Sequence, residues 1–215
     1  LLHRYIKQTL ISKQHSLNTS SYYMKTQHFK LVLSFLLLLT AIISNAQEYC
    51  MTSAFGYATG TTGGGSATPQ LVNTYSALKS ALTASGSAVI IIDGTITIPN
   101  SGRISAVISN KTVLGLPGAK LVSADQTASG SGILTLENGS NNVIIRNITF
   151  EGPGAYDADG NDLIANIGCT KLWVDHCDFQ DGMDGNFDNT KMADNVTITW
   201  CRFRYLKPPK PDGPG

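Results

Sequence analysis

The sequence lacks the local signatures of several common binding sites. Its four cysteines include no C-x-x-C pair, and no Gly-Lys-Ser/Thr follows the glycine triplet at 63–65. A cysteine-based zinc site and a phosphate-binding loop are therefore disfavoured. The longest apolar run, 31–43, is shorter than the roughly 20 residues that a membrane-spanning helix needs. Low charge and few aromatic residues leave both an enzyme and a scaffold possible.

The amino-terminal region has the pattern of an export signal. Two lysines and the apolar run 31–43 follow Met24, and small residues occupy the last and third-last positions before Gln47. This pattern predicts a secretory signal peptide at 24–46 that is removed after Ala46. We expect residues 1–23 to be an upstream segment outside the fold.

Removing residues 1–46 changes the charge of the chain. The remainder, 47–215, has 11 basic and 15 acidic residues and a formal net charge of −4. A negative, exported protein is a poor candidate for binding nucleic acid. Nine of the acids lie between 157 and 194, where Lys171 and Lys191 are the only lysines or arginines. Such an imbalance requires a bound cation or good solvation.

The four cysteines all follow the predicted signal peptide. They are Cys50, Cys169, Cys177 and Cys201. Export permits disulfides, and four cysteines allow three pairings. Cys177 and Cys201 suit either a disulfide or a pair of small buried side chains, and both interpretations stay open.

One segment has the pattern of a short amphipathic helix. In "NTYSALKSALTASG", Thr74 can cap the amino terminus, three apolar residues share one face, and Gly86 suits the end. We expect no other helix of comparable length.

The rest of the mature chain consists of short β-rich runs, three of which repeat. The runs 142–152, 171–182 and 195–203 align without gaps, with offsets of 29 and then 24 residues. Two columns result, Ile148/Cys177/Cys201 and Phe150/Phe179/Phe203. Aligned inward columns at this spacing favour a parallel β-helix, in which like residues stack on successive coils. A β-sandwich is the alternative that regular short strands also allow.

The acidic region does not fit an EF-hand. Loops started at Asp157 or Asp184 lack the glycine at position 6 and the glutamate at position 12. In a β-helix, however, Asp162 precedes one strand while Asp184 and Asp188 come close to one coil later. Their carboxylates can then converge into an open oxygen site for Ca²⁺. Solvated turn residues are the alternative, and Asp181 with Gly182 reads as turn chemistry.

Several ordered motifs resemble those of the pectate lyase family. They are "WVDHC" (173–177), "DGNFD" (184–188) and "NVTITWCRF" (195–203), preceded by "KTVLGLPGA" and "NVIIRNITF". The resemblance covers nearly all of 50–206. It implies an exported, all-β, right-handed parallel β-helix that cleaves polygalacturonate (pectin) by β-elimination with Ca²⁺. The partner it implies is the polysaccharide, and we expect a monomer with no membrane association after signal cleavage.

The resemblance also assigns site residues. Asp162, in "NDLIAN", matches the first calcium ligand, although Leu163 stands where the family commonly has alanine. Asp184 and Asp188 match the two ligands of the D-G-x-x-D motif, and Asp157 and Asp159 could add a ligand. Lys207 matches a lysine that binds the substrate carboxylate, but an ordinary loop lysine is equally compatible with its position.

The family's catalytic base is an arginine in an R-x-P-x-x-R-type motif, which this sequence does not contain. We therefore expect no catalytic residue in this chain, a base arginine beyond Gly215, and an inactive fragment in isolation. Arg202 and Arg204 lie in a different motif. Asp175 and His176 are expected to form internal hydrogen bonds rather than a catalytic dyad. A glycoside hydrolase or a non-catalytic β-helix that binds acidic polysaccharide is the alternative function.

Overall fold

The computed structural model describes residues 51–156 and 159–210. The predicted signal peptide, the segment 1–23, Cys50 and Asp157 lie outside the described residues. Residues 53–156 and 159–210 belong to one compact unit. In the described part of the chain, no helix is both long and apolar enough to cross a membrane.

The described residues form fifteen strands, one α-helix and one short 3-10 turn. The elements are the turn Gly56–Ala58, β1 Pro69–Val72, α1 Tyr75–Thr83, β2 Ala88–Ile92, β3 Thr95–Ile98, β4 Ile104–Ala106, β5 Ser109–Gly115, β6 Lys120–Ser123, β7 Leu134–Leu136, β8 Asn141–Arg146, β9 Thr149–Glu151, β10 Ile164–Asn166, β11 Thr170–Asp175, β12 Asp178–Gln180, β13 Phe187–Asn189, β14 Asp194–Thr199 and β15 Arg202–Arg204.

The strands build a parallel β-helix. They form three parallel sheets of six, four and five strands, ordered β1-β2-β5-β8-β11-β14, β4-β7-β10-β13 and β3-β6-β9-β12-β15. Each complete coil contributes one strand to each sheet, and every recorded pairing is parallel. The predicted fold class is therefore confirmed, and the β-sandwich alternative is excluded because its sheets are antiparallel.

Three tight corners divide runs that read as continuous in the sequence. Asn147, His176 and Trp200 have φ values of 56°, 53° and 53°. Each turns the chain from the six-stranded sheet into the five-stranded sheet, between β8 and β9, β11 and β12, and β14 and β15. The left-handed conformation ends the strand within one residue. Period-2 patterning does not reveal such a corner, because the inward alternation resumes directly after it.

The predicted columns stack inside the coil. Phe150, Phe179 and Phe203 are in register across β9, β12 and β15. The Phe179 ring lies 4.9 Å from that of Phe150 and 5.0 Å from that of Phe203, with nearly parallel planes. Ile148 and Cys177 are both at most 2% exposed. Stacked side chains of this kind remove apolar surface from water on every coil, which stabilises the solenoid.

The helix α1 lies against the first coil. Its Thr74 Oγ1 accepts a hydrogen bond from the Ala77 N–H at 3.3 Å, as predicted for the cap. Leu78 and Leu82 are buried in the core, while Tyr75 is partly exposed. Within the described residues it is the only α-helix, as expected.

The glycine- and threonine-rich segment before β1 runs along the outside of the six-stranded sheet. The Ala58 N–H donates to Thr197 Oγ1 at 2.9 Å, and the Gly63 N–H donates to Asn142 Oδ1 at 2.9 Å. Gly63 has a φ of 56°, and a Cβ there would lie 2.2 Å from Thr112 Oγ1. Glycine is thus required by the close approach of this segment to the sheet.

Candidate functional site

The three predicted metal ligands lie on two neighbouring coils. Asp162 stands two residues before β10, Asp184 lies in the turn after β12, and Asp188 is the central residue of β13. Strands β10 and β13 are parallel neighbours, and Asp188 pairs with Ala165. The Leu163 N–H donates to the Gly185 carbonyl at 3.3 Å, which ties the two coils together beside Asp162. The D-G-x-x-D turn is therefore held against Asp162.

The electrostatics of Asp162 show that these acids share one environment. The pKa of Asp162 is raised from 3.8 to about 6, chiefly by burial and then by the charges of Asp188 and Asp184 in that order of importance. A carboxyl group without a compensating cation holds its proton more tightly when it is desolvated and faces other anions. A divalent cation at this point would reverse that effect. We refer to Asp162, Asp184 and Asp188 below as the acidic site.

Gly185 leaves the space that the Asp162 carboxylate uses. A Cβ at residue 185 would lie 2.1 Å from Asp162 Oδ1, far inside any normal contact. The glycine of the D-G-x-x-D turn therefore has a steric role at the acidic site and is not only a turn former.

The acidic site is not a closed metal cage. Among residues 51–156 and 159–210, no three His, Cys, Asp or Glu side chains converge closely enough to form one. Asp184 and Asp188 are exposed, and only Asp162 is partly buried. The electrostatic coupling of the three aspartates is compatible with this open arrangement, because carboxylates several ångströms apart still repel one another without converging on a single point. The residues fit an open oxygen site for a hard cation, with room for an anionic ligand on the exposed side.

Two residues missed by sequence reasoning border this site. The Tyr205 hydroxyl donates to the Asp184 carbonyl at 3.3 Å. Burial raises the pKa of Tyr205, and the charges of Asp162, Asp184 and Asp181 add to the effect. Asp181, read from the sequence as turn chemistry, is 1% exposed and bonded to the segment that carries Tyr205. The high density of aspartates around Gly182 was the one feature of the sequence that pointed to either residue.

Lys207 lies in an ion-pair chain. Its Nζ is 3.2 Å from Glu151 Oε1 and donates to the Gly152 carbonyl at 2.6 Å. Lys120 Nζ binds the other oxygen of Glu151 at 2.8 Å. The two ammonium groups hold the pKa of Glu151 below its usual value. The Lys207 side chain remains 39% exposed, so its ammonium can still meet a ligand.

Asp175 and His176 belong to a separate hydrogen-bond network at β11. Asp175 is buried, and its carboxylate lies 2.7 Å from Arg146 Nη2 and 2.9 Å from His176 Nδ1. Thr199 Oγ1 donates to the same carboxylate at 2.8 Å, and Trp173 Nε1 donates to Thr199. The expectation of internal hydrogen bonds between coils is confirmed.

Arg202 and Arg204 both bind Asp178, at 2.9 and 2.5 Å. This pairing across β12 and β15 gives each arginine a structural partner.

The cysteines within the described residues are thiols. Cys169, Cys177 and Cys201 are free, and the Cys177 N–H donates to Cys201 Sγ at 3.4 Å. Burial raises the pKa of Cys169 to about 12, which makes its thiol unreactive at neutral pH. Cys177 and Cys201 are thus stacked side chains, of which Cys177 is buried and Cys201 is partly buried.

Comparison with known proteins supports the resemblance seen in the sequence. The profile of the family described as pectate lyase matches residues 29–209. The chain is 35% identical over 193 residues to a pectate trisaccharide-lyase of Thermotoga sp. (strain RQ2), covering 81% of this chain and 50% of that protein. It is 34% identical over 157 residues to pectate lyase A of Aspergillus niger, covering 68% of this chain and 45% of that protein.

A solved structure agrees on the fold. A pectate lyase from Paenibacillus sp. 0602 matches with a TM-score of 0.54 at 23% identity, covering 71% of this chain and 42% of the other. At that identity the likeness bears on architecture alone. The chain spans about half the length of the curated relatives it matches. With the family profile matching most of its length and the β-helix in place, this chain belongs to the pectate lyase family.

Proposed function

We propose that this protein is an exported, calcium-dependent pectate lyase that cleaves polygalacturonate by β-elimination to 4,5-unsaturated oligogalacturonates. Residues 47–215 are the amino-terminal part of its β-helix domain, following the signal peptide 24–46. Family membership and the named lyase activities of its relatives support the reaction class. The observation that supports the calcium requirement is the approach of the turn carrying Asp184 and Asp188 to Asp162, where Gly185 lies directly against the Asp162 carboxylate.

Asp162, Asp184 and Asp188 are the residues that would hold Ca²⁺. Asp162 is the partly buried ligand, fixed next to Gly185, and the two exposed carboxylates close the site from the next coil. Oxygen ligands and a solvent-facing opening suit Ca²⁺, which accepts six to eight oxygens in flexible geometry. The opening leaves coordination positions for the carboxylate of a galacturonate unit.

The reaction removes the C5 proton of a galacturonate and expels the C4 glycosidic oxygen. The departing C5 proton lies α to the uronate carboxylate, and bound Ca²⁺ would stabilise the negative charge that develops on that carboxylate. The acidic site would fix the sugar in one orientation. Lys207, held by Glu151 and the Gly152 carbonyl, would contact a substrate carboxylate with its exposed face.

The proton acceptor is an arginine that these residues do not supply. The printed sequence has no R-x-P-x-x-R motif, and Arg202 and Arg204 are bound to Asp178. An arginine at such a site acts as base only when its environment disfavours the charged form. We therefore propose that residues 47–215 alone bind oligogalacturonate weakly and show no turnover.

Ultraviolet absorbance of the unsaturated product tests the function. The full-length mature protein is incubated with polygalacturonate, with and without a calcium chelator. Absorbance that rises with Ca²⁺ and stops with chelator is the expected result. Reducing ends that form without the ultraviolet band would show a hydrolase, and binding without any product would show a non-catalytic β-helix. Product formation that ignores the chelator would overturn the calcium requirement.

The same assay on residues 47–215 tests the missing base. Turnover by this segment would show that a residue within it removes the proton.

A further inference from the structure

A buried carboxylate holds the segment that follows β15. Asp181 is 1% exposed and has a φ of 61°. Its Oδ1 accepts hydrogen bonds from the N–H groups of Leu206 at 2.6 Å and Lys207 at 2.9 Å, on the following coil. Turn formation does not require these bonds, because the turn at 181 is local and they bridge 25 and 26 residues. They fix the backbone at 206–207.

The fixed segment carries Tyr205 to the acidic site and Lys207 to Glu151. Tyr205 lies directly before the clamped residues, and its hydroxyl donates to the Asp184 carbonyl. Its ring is half exposed and close enough to Asp162 and Asp184 to respond to their charges. Lys207 lies within the clamp, with its ammonium on Glu151.

The main chain around Asp181 is also fixed on its other side. The Asp181 N–H donates to the Arg204 carbonyl at 3.1 Å, and its carbonyl accepts from the Gly154 N–H at 2.8 Å. The residue therefore joins three segments: the turn before Asp184, the loop that follows Gly152, and the chain after β15. A carboxylate buried in such a position is stabilised by the two N–H groups that donate hydrogen bonds to it.

We infer that Asp181 is a positioning residue for the acidic site, clamping the 205–207 segment so that the Tyr205 ring forms a wall for a uronate sugar. This inference rests on the proposed function. The phenol hydroxyl is occupied by Asp184, so the ring presents an apolar face to the C–H face of a sugar, while the acidic site takes the carboxylate of that sugar. Asp181 itself touches neither.

The chain offers a matched control for an Asp181 variant. Asn142 has a φ of 59°, and its Oδ1 accepts from the consecutive N–H groups of Thr62 and Gly63 at 2.7 and 2.9 Å. D181A and N142A therefore each remove an oxygen that accepts from two consecutive backbone N–H groups, and each places alanine in the left-handed region. N142A also loses the bonds that Asn142 Nδ2 donates, so it is the more severe of the two changes. Only the first loss lies beside the acidic site. D181N keeps an acceptor oxygen and serves as the conservative variant.

Amide hydrogen exchange on the full-length protein tests the clamp without any ligand. D181A should accelerate exchange in the peptide that contains 206 and 207, whereas D181N and N142A should leave that peptide as in the wild type. Unchanged exchange in D181A would overturn the clamp. The exchange measurement tests the clamp whether or not the acidic site binds a cation.

Terbium luminescence and sugar binding test the consequence. Tb³⁺ in place of Ca²⁺ is excited through a nearby phenol, so Y205F and D181A should both lose emission that D181N and N142A retain. Trigalacturonate affinity in Ca²⁺ should fall roughly tenfold in D181A, the effect of losing a pair of charge-assisted hydrogen bonds. Retained emission and affinity in D181A would overturn the positioning role. Wild-type protein that binds no Tb³⁺ would instead contradict the proposed function.

Discussion

Gly185 and Asp162 are in contact across two coils, at a distance that excludes a side chain on residue 185. A Cβ there would lie 2.1 Å from Asp162 Oδ1. The contact links the D-G-x-x-D turn to the most buried carboxylate of the acidic site, and it gives a direct means of testing that site.

G185A should weaken cation binding. The methyl group must displace the Asp162 carboxylate, so we expect a loss of Ca²⁺ or Tb³⁺ affinity of about tenfold or more by titration. G118A is the control. Gly118 has a φ of +84° with open space around it, so alanine there should reduce stability by about 1 kcal/mol and leave cation affinity unchanged. Equal affinity in G185A and wild type would place the cation elsewhere.

Asp162 should make the cation-free protein less stable as pH rises. Its folded pKa of about 6 exceeds the ordinary 3.8, so the folded state binds this proton more tightly than the unfolded state. The contribution is favourable below about pH 4 and is lost as pH rises through about 6. In chelator, the melting temperature of the wild type should fall as pH rises, and that of D162N should fall less. The same pH dependence in both proteins would contradict the raised pKa of Asp162.

Saturating Ca²⁺ should remove this pH dependence of the melting temperature. Cation and proton compete for the carboxylate, so apparent Ca²⁺ affinity should increase between about pH 5 and 7 in the wild type. Affinity independent of pH over this range would argue against Asp162 as a ligand.

Lys207 and Lys120 share Glu151, which allows a matched comparison. K207A and K120A each remove one ammonium from the same carboxylate. If Lys207 binds substrate, K207A should reduce trigalacturonate affinity several-fold by calorimetry, and K120A should not. Both should make stability slightly less sensitive to acid, because the lowered pKa of Glu151 contributes stability that is lost as pH falls, and each variant removes part of that contribution. Equal affinities in the two variants would make Lys207 a structural lysine.

Phe179 should be a major contributor to stability. It is fully buried between Phe150 and Phe203, and the Phe187 ring meets it edge-on at 5.4 Å. F179A should lower the free energy of unfolding by about 3–5 kcal/mol, measured by denaturant titration. F203A, on the half-exposed end of the stack, should cost less. A larger loss in F203A than in F179A would contradict the stacking order.

Sequence by itself determined the elements whose signals are local or repeat at fixed offsets. The helix was readable because Thr74 and the apolar face lie within one short segment. The Phe150/Phe179/Phe203 column was readable because stacked coils place equivalent residues at nearly constant spacing. The sequence predicted the candidate residues of the acidic site, because aspartates at the strand ends of successive coils lie near one another in a β-helix.

Tertiary structure decided what each polar group contacts. Asp181 looked like a turn residue because its two partners lie a full coil away, and no local pattern records such a bond. Lys207 is bound by Glu151, 56 residues earlier, through the stacking of coils. The pKa of Asp162 likewise depends on burial and on charges from the next coil. Hydrogen-bond partners and desolvation are set by distances in space, and the sequence fixes only which residues are available.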